Sequence, residues 1–396
     1  MQQLSNRINA IEESATLAMA AKAREFKSRG IDVINLSLGE PDFKTPLHIC
    51  EAAKKAIDEG KFFSYPPVGG YQDLREALAA KYQKENNVPY KAENIVVSNG
   101  AKQSIANVMI ALLNPGDEVI VFTPYWVSYD ALVRLAEAKP VMVSGTIEND
   151  FKATAAQVEA AITSKTKAII FSSPCNPTGS VFSKKELEAI ANVVLKHPNL
   201  LVIADEIYEH INFTGDQTSI ASFPGMFERT ITVNGFAKGF AMTGWRVGYI
   251  GAPKWIADGA MKVQGQITSA NCSISQRGAL AGITGDLEPT RKMVAEYKNR
   301  RDIVYNLLKE IPGVKANYPT GAFYFFPDVS AFYGKSDGTK VIKTGDDLCL
   351  WLLENARVSL VPGGAFGDER CIRLSYAASE KELRESMARL KEALPK

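Results

Sequence analysis

The chain has few cysteines, fewer histidines and no long apolar run, and each shortage removes a class of function. Its five cysteines (Cys50, Cys175, Cys272, Cys349 and Cys371) are odd in number, scattered, and spaced neither as a metal knuckle nor as a redox pair. That argues against a disulfide-stapled fold and a zinc module, and the thiols are expected as reduced core residues. His48, His197 and His210 stand at no ligand spacing from one another or from a cysteine, so no metal is expected and all three read as structural or surface residues. The opening MQQLSNRINAIEES lacks an apolar core of signal-peptide length, and no run approaches the ~20 apolar residues of a membrane span. A cytoplasmic protein with no membrane partner is the expectation. Net charge is scarce too: 46 Lys+Arg against 44 Asp+Glu leave +2, which provides no broad field for nucleic acid. A small-molecule partner is expected instead. No two glycines lie two apart, so there is no GxGxxG; GxxxxGK and GxSxG are missing as well. Dinucleotide, nucleoside-triphosphate and serine-hydrolase readings thereby lose their fingerprints.

What is present fits a large globular chain. With 396 residues, 46% hydrophobic and 23% charged, it can bury a sizeable core and divide into one large and one smaller domain. The expected division is an amino-terminal arm at 1–13, ordered by another subunit, a small domain from 14–45 with 290–396, and a large domain at 46–289. Ser14 can cap a helix with apolar residues at Leu17, Ala20, Ala21 and Phe26 that stops at Gly30, followed by a short strand at 33–36. Gly39-Glu40-Pro41-Asp42-Phe43 breaks regular structure and lets backbone approach something closely. Tyr65-Pro66-Pro67-Val68-Gly69-Gly70 reads as a rigid loop carrying a tyrosine hydroxyl, ahead of a helix at 72–86.

From Ile95 onward, apolar strands alternate with helices, which predicts an α/β fold: a mostly parallel seven-stranded sheet flanked by helices. The strands are expected near 95–98, 118–122, 140–143, 168–172, 200–204, 230–234 and 247–250. Ligands of such sheets sit at the carboxyl ends of the strands, so the residues there form one set. The first strand ends in Ser98-Asn99-Gly100-Ala101-Lys102-Gln103, a glycine turn opening a helix whose free N–H groups suit a phosphate. The second ends in Pro124-Tyr125-Trp126, an aromatic placed either in the core or against a flat ring. The fourth ends in Ser173-Pro174-Cys175-Asn176-Pro177, with Asn176 held between two prolines as a positioned hydrogen-bonding group or a plain turn residue. The fifth ends in Asp205-Glu206-Ile207-Tyr208, whose buried Asp205 requires a cationic or protonated partner. The sixth runs into Gly235-Phe236-Ala237-Lys238-Gly239-Phe240-Ala241, small and apolar around a single cation. A desolvated lysine loses its proton more easily and becomes a nucleophile, and Arg246 adds a planar cation for a phosphate or carboxylate.

Beyond Pro289 the pattern becomes α+β: a charged helix at 291–310, strands near 314–318 and 322–327, a helix at 346–355, strands near 357–361 and 371–375, and a final helix. The segment 361–367 reads as a mobile loop. Arg373 sits in an otherwise apolar strand and requires a carboxylate, either an internal acid or a ligand.

Together SLGEPDF, SNGAKQ, PYWVSY, PCNPTG, ADEIYEHI, NGFAKGFAMTGWRVGY and CIRLSYA resemble the class I aminotransferases of the fold-type I pyridoxal-phosphate enzymes, over nearly the whole chain. Within that family the likeness is to bacterial aspartate aminotransferases whose lysine motif ends in MTGWRxGY. The resemblance implies pyridoxal 5'-phosphate bound covalently to Lys238, which also shuttles the proton between substrate Cα and cofactor C4′. It implies Asp205 on the pyridine nitrogen, Tyr208 and Asn176 on the ring oxygen, and Trp126 stacked on the ring. It places the phosphate on Gly100, Ala101 and Lys102, clamped by Arg246, with Tyr65 reaching in from a neighbouring subunit of a homodimer. Arg373 would hold the substrate α-carboxylate with Asn176 and Gly39, and Lys102 would read a distal carboxylate. The activity so implied is ping-pong transfer from aspartate to 2-oxoglutarate. The alternative is a broader aminotransferase for aromatic or other neutral amino acids, accommodated by Trp126, Tyr324 and Phe366. Two departures stand out. Ala237 occupies the position where many relatives carry a phosphate-touching hydroxyl. Thr16 matches relatives that accept prephenate but Glu12 is acidic, which argues against prephenate as a main substrate.

Overall fold

The computed structural model describes residues 4–336 and 341–394. A short strand, β1 (Ile34–Asn35), precedes the main sheet, whose strands are β2 (Ile95–Ser98), β3 (Glu118–Thr123), β4 (Lys139–Ser144), β5 (Thr166–Ser172), β6 (Leu201–Asp205), β7 (Thr230–Gly235) and β8 (Gly248–Gly251). They form one seven-stranded sheet in the order β2-β8-β7-β6-β5-β3-β4. All run parallel except β8, which is antiparallel to both neighbours.

Every residue of β2, β3, β6, β7 and β8 is buried, which is why these segments read as unbroken apolar runs rather than as alternating ones. The period of two distributes them between the two faces. Val119, Val121, Ile170, Ile203 and Val233 pack on one side against Ile105 and Met109 of the helix Ala101–Leu112 and Ile256 and Ala260 of the helix Lys254–Ile267. Ile120, Phe122, Ile169, Phe171 and Val202 face the other way, onto Leu187, Ile190 and Val194 of the helix Lys184–Leu195. Each fully buried Val, Ile or Phe contributes roughly 1.5–3 kcal/mol relative to exposure.

A separate core joins the two ends of the described chain: Met19, Ala23, Val33 and Leu36 pack with Met293, Val304, Leu348, Leu374 and Leu390. Its strands are β9 (Tyr324–Phe325), β10 (Val358–Ser359), β11 (Val361–Pro362) and β12 (Ile372–Ser375). β10 pairs with β1 in parallel, and β11, β12 and β9 make a three-stranded antiparallel sheet. Tyr208 and Ile211, just past β6, belong to this core and tie the end of the main sheet to it.

Several local expectations are corrected. The helix Ala15–Ser28 buries Met19, Ala20 and Ala23, whereas Leu17 is 62% exposed and Ala21 also faces outward; Ser14 makes no side-chain cap. Segment 314–318 is not a strand, because Pro319 and Pro327 leave only an isolated Lys315–Asp328 bridge and the two-residue β9. Segment 361–367 is packed rather than mobile: β11 leads into a one-turn helix, Gly363–Phe366, with Phe366 fully buried. Gly363 lies so close to the Cys371 carbonyl that a Cβ there would sit 2.2 Å from it. Of the cysteines, Cys349 and Cys371 are buried and Cys50 and Cys175 half-buried, but Cys272 is exposed at the start of the helix Ser273–Thr284. Of the amino-terminal arm, residues 1–3 lie outside the described residues; the remainder forms a short helix, Asn6–Asn9, with no buried side chain.

Candidate active site

The carboxyl ends of β2, β5, β6 and β7 open onto a cavity of about 700 Å³. Its wall contains Gly39, Ala101, Lys102, Trp126, Asn176, Asp205, Tyr208, Lys238, Arg246 and Arg373. Two of the residues expected at the site are not in the wall. Gly100 lies one position ahead, at the turn into the helix, and Tyr65 is 91% exposed on the surface of its own chain.

Lys238 follows β7 in a loop held down by Phe236 and Phe240, whose rings meet at 5.1 Å. The close approach requires glycine at 239, since a Cβ there would lie 2.9 Å from His210. Lys238 Nζ donates to the Gly39 carbonyl and faces the rings of Tyr208 and Phe323 at 5.7 and 5.8 Å. Burial lowers its pKa to about 8; Glu40 opposes that shift, while the Arg373 and Arg246 charges add to it. The neutral, nucleophilic amine is therefore accessible far below the ordinary lysine range.

Among the described residues Asp205, at the end of β6, has no cationic partner within ion-pair distance. The protonated partner is Tyr129, whose hydroxyl donates to Oδ2 at 2.7 Å, while the Ile207 N–H donates to Oδ1 at 3.2 Å. Burial pushes the Asp205 pKa up to about 6, against the pull of the Tyr129 bond. Tyr129 lies inside the PYWVSY stretch, three residues past Trp126, and was missed because a tyrosine within an apolar helix reads as core.

At the end of β2 the helix Ala101–Leu112 starts without a side-chain cap, leaving its first N–H groups free. Gly100 has φ 86°, and a Cβ on it would sit 2.3 Å from Arg246 Nη2. Arg246, itself at φ 57°, donates to the carbonyls of Thr243 (2.9 Å) and Asn99 (3.3 Å) and, among the described residues, to no carboxylate. A helix terminus and an unneutralised guanidinium thus meet at one point, as an anion site requires.

Arg373 on β12 is 2% exposed and, among the described residues, pairs with no acid. Its Nη1 donates to Asn176 Oδ1 at 3.0 Å and its Nη2 to the Ser37 carbonyl at 2.6 Å; its Nε is buried without a partner. The rings of Tyr324 and Phe366 flank it at 4.7 and 4.9 Å. Of the two readings open from sequence, the internal ion pair is absent. Among the described residues Lys102 likewise has no acid beside it: exposed at the cavity wall, its Nζ lies 5.0 Å over the Trp126 ring, and desolvation, then Arg246, lowers its pKa. With Arg246, these make three cations in one cavity wall that lack an acid partner among the described residues, which selects for anionic ligands.

His210 is structural, as expected, bonding Glu85 at 3.3 Å. Glu85, Glu209 and His210 come together, but Lys81 Nζ already donates to Glu209, so the charge a metal would neutralise is taken.

Residues 31–390 match the family described as Aminotransferase class I and II. The chain belongs to that family. Its members are pyridoxal 5'-phosphate-dependent transaminases acting on amino acids and 2-oxo acids. A bifunctional aspartate aminotransferase and glutamate/aspartate-prephenate aminotransferase of Petunia hybrida is 48% identical, over 99% of this chain and 82% of that protein. The crystal structure of the aspartate aminotransferase from Rhizobium meliloti superposes with a TM-score of 0.95 at 40% identity, covering 100% of this chain and 99% of the other. That of an aromatic aminotransferase from Pyrococcus horikoshii superposes with a TM-score of 0.86 at 41% identity, covering 94% and 98%. As an aminotransferase the chain has a cavity equipped for the cofactor: a nucleophilic lysine, a buried acid without a cationic partner, and an anion cradle.

Proposed function

We propose that this aminotransferase transfers the amino group of aspartate to 2-oxoglutarate, giving oxaloacetate and glutamate by a ping-pong sequence. The reading rests chiefly on Arg373 and Lys102, two cations in one cavity wall that have no acid partner. A dicarboxylic substrate would satisfy both. Residue by residue, Lys238 would hold the cofactor, Asp205 its pyridinium nitrogen, Tyr208 and Asn176 its ring oxygen, and Trp126 its ring face. The helix start at Gly100, Ala101 and Lys102, with Arg246, would hold its phosphate. When bound, the cofactor supplies the electron sink that weakens the substrate Cα–H bond. Arg373, steered by Asn176 and Ser37, would fix the α-carboxylate, with Gly39 beside it, and so set that bond against the Lys238 amine. Lys238 would then take the Cα proton and return it at cofactor C4′.

Tyr65 has no place in the cavity of its own chain, and Phe63 and Ile267 are also exposed apolar residues. These features support a homodimer in which Tyr65 completes the phosphate site of the neighbouring subunit. The small unit of 14–45 with 290–396 and the large unit of 46–289 would close over the cavity. A broader enzyme for aromatic amino acids is the second reading, favoured by Trp126 beside Lys102. Phe366, however, is fully buried against Arg373 and outside the cavity wall. Glu12 is exposed, and prephenate is expected to be a poor substrate.

The test is a half-reaction. Aspartate, glutamate and phenylalanine are mixed separately with the pyridoxal form and the loss of its absorbance followed; aspartate is expected to react far faster than phenylalanine. The reverse order would leave the family and cofactor standing and overturn the substrate.

A further inference from the structure

Tyr324 sits where three parts of the site meet. It is fully buried on β9, a strand of the small antiparallel sheet, yet its side chain lines the cavity at the end of the main sheet. Its hydroxyl shares a hydrogen bond of 2.7 Å with the Tyr208 hydroxyl. Its ring face lies 4.7 Å from the Arg373 guanidinium carbon. It also crowds Gly39: a Cβ on that glycine would lie 2.5 Å from the Tyr324 oxygen. The Gly39 carbonyl in turn accepts from Lys238 Nζ.

We propose that Tyr324 is a positioning residue that sets two groups at once, orienting the Tyr208 hydroxyl toward the cofactor ring oxygen and holding the Arg373 guanidinium flat for the substrate carboxylate. This rests on the proposed cofactor and substrate roles of Tyr208 and Arg373. A phenol carries one proton. If Tyr208 is to donate to the ring oxygen, the bond it shares with Tyr324 must run the other way, with Tyr324 donating. The Tyr324 proton then occupies a lone pair of Tyr208, fixes its rotor and polarises its O–H, so that the outward bond is stronger. The guanidinium is planar; its Nη1 and Nη2 are tied to Asn176 and the Ser37 carbonyl, while its Nε is buried without a partner. The Tyr324 and Phe366 rings, 4.7 and 4.9 Å from its central carbon, add a further constraint through cation–π contact with a desolvated cation.

The two roles separate by substitution. Tyr324→Phe keeps the ring and removes the hydroxyl; Tyr324→Leu removes both. In the holoenzyme the observable is the pH midpoint of the absorbance of the lysine-bound cofactor, which depends on how well the ring oxygen's negative charge is stabilised. Tyr324→Phe is expected to raise that midpoint by about half a unit and to leave KM for aspartate within ~2-fold. Tyr324→Leu is expected to raise the midpoint similarly and to raise KM for aspartate about tenfold, from the lost cation–π contact. An unmoved midpoint in Tyr324→Phe, in a protein that takes up cofactor normally, overturns the Tyr208 role; an unchanged KM in Tyr324→Leu overturns the Arg373 role. If the parent protein takes up no pyridoxal phosphate and shows no such absorbance, the reading of the site fails and this inference with it.

Discussion

Arg373 donates from Nη1 to Asn176 Oδ1 at 3.0 Å, joining the small antiparallel sheet to the turn after β5 of the main sheet. One guanidinium nitrogen is held by a side chain, another by the Ser37 carbonyl, and the charge itself is left without an acid. A lysine at this position would carry the charge but not the fork. Arg373→Lys is therefore expected to lower kcat/KM for aspartate by ~10²–10³, the loss of a bidentate charged contact. Cofactor affinity should change by less than ~3-fold, because Arg373 is not among the groups proposed to hold it. Steady-state kinetics beside a cofactor titration separate the two, and equal losses in both would refute the assignment.

Lys102 is the residue that should distinguish dicarboxylic from neutral substrates. An ammonium facing a carboxylate discriminates strongly, whereas an apolar wall separates side chains of similar size poorly. Lys102→Ala should reduce kcat/KM for aspartate by ~30-fold or more and change that for phenylalanine by only a few-fold. Parallel losses for both amino acids would assign the Lys102 side chain, and not its backbone N–H alone, to the cofactor phosphate.

The main sheet was legible because burial on both faces leaves a continuous apolar run, and such runs need no tertiary information to be recognised. Its strand ends were legible for the same reason: once Leu201–Asp205 and Thr230–Gly235 are strands, Asp205 and Lys238 must lie at the same edge. The small sheet was harder. β9, β10 and β11 are two residues each, too short for a period; β9 and β10 are held by the core that also takes Met19 and Ala23, whereas Val361 of β11 packs with Phe326 and Phe366. The loop at 361–367 misled because glycine marks close packing as well as freedom; Gly363 is small because the Cys371 carbonyl is against it. Tyr129 escaped notice as a site residue, and Tyr324 was read only as a wall for a neutral side chain, because nothing in a sequence distinguishes a core tyrosine from one whose hydroxyl bonds Asp205 or Tyr208.

Burial lowers the Lys238 pKa to about 8, which can be read directly in the apoprotein. Its rate of covalent capture by pyridoxal phosphate, or of reductive methylation, should rise with pH and level off above about 8 rather than continuing to the ordinary lysine range. Asp205→Ala removes a group that holds the lysine's proton and should move the midpoint lower still. A midpoint near 10 in the parent would mean that the amine is solvated.

Glu206 gives a stability prediction of opposite character. It is buried, and desolvation, then the neighbouring Glu209 charge, push its pKa up to about 8. The folded state thus keeps a proton that the unfolded chain releases near 4.5, so the contribution of Glu206 to stability is present below that value and is lost as pH rises through about 8. Glu206→Gln cannot titrate and should gain on the parent by ~2–5 kcal/mol between pH 5 and 9. Thermal melts of both proteins across that range check the sign, and parallel curves would show that Glu206 is already ionised in the fold.

Beside it, Glu209 remains a carboxylate. Burial alone would raise its pKa, but Lys81, His210 and Asn86 outweigh that and hold it below the usual range. It accepts from Lys81 Nζ, from Asn86 Nδ2 at 3.0 Å and from Asn234 Nδ2 at 2.7 Å, while Asn234 Oδ1 accepts from the Gly235 N–H at 2.7 Å. The charge therefore connects the helix Gln72–Asn86, the turn after β6 and the end of β7, just before the lysine loop. Removing one partner strands the other in a dry interior, so Lys81→Met should destabilise the protein by ~3–5 kcal/mol. The double variant Lys81→Met/Glu209→Leu buries no charge and should recover most of that loss, although Asn86 and Asn234 forfeit their acceptor. If the double variant is as unstable as the single one, the network acts through its hydrogen bonds to the two asparagines rather than through the ion pair. Cofactor affinity, measured on the same proteins, would then fall with stability, because Asn234 is what fixes the backbone that leads into Lys238.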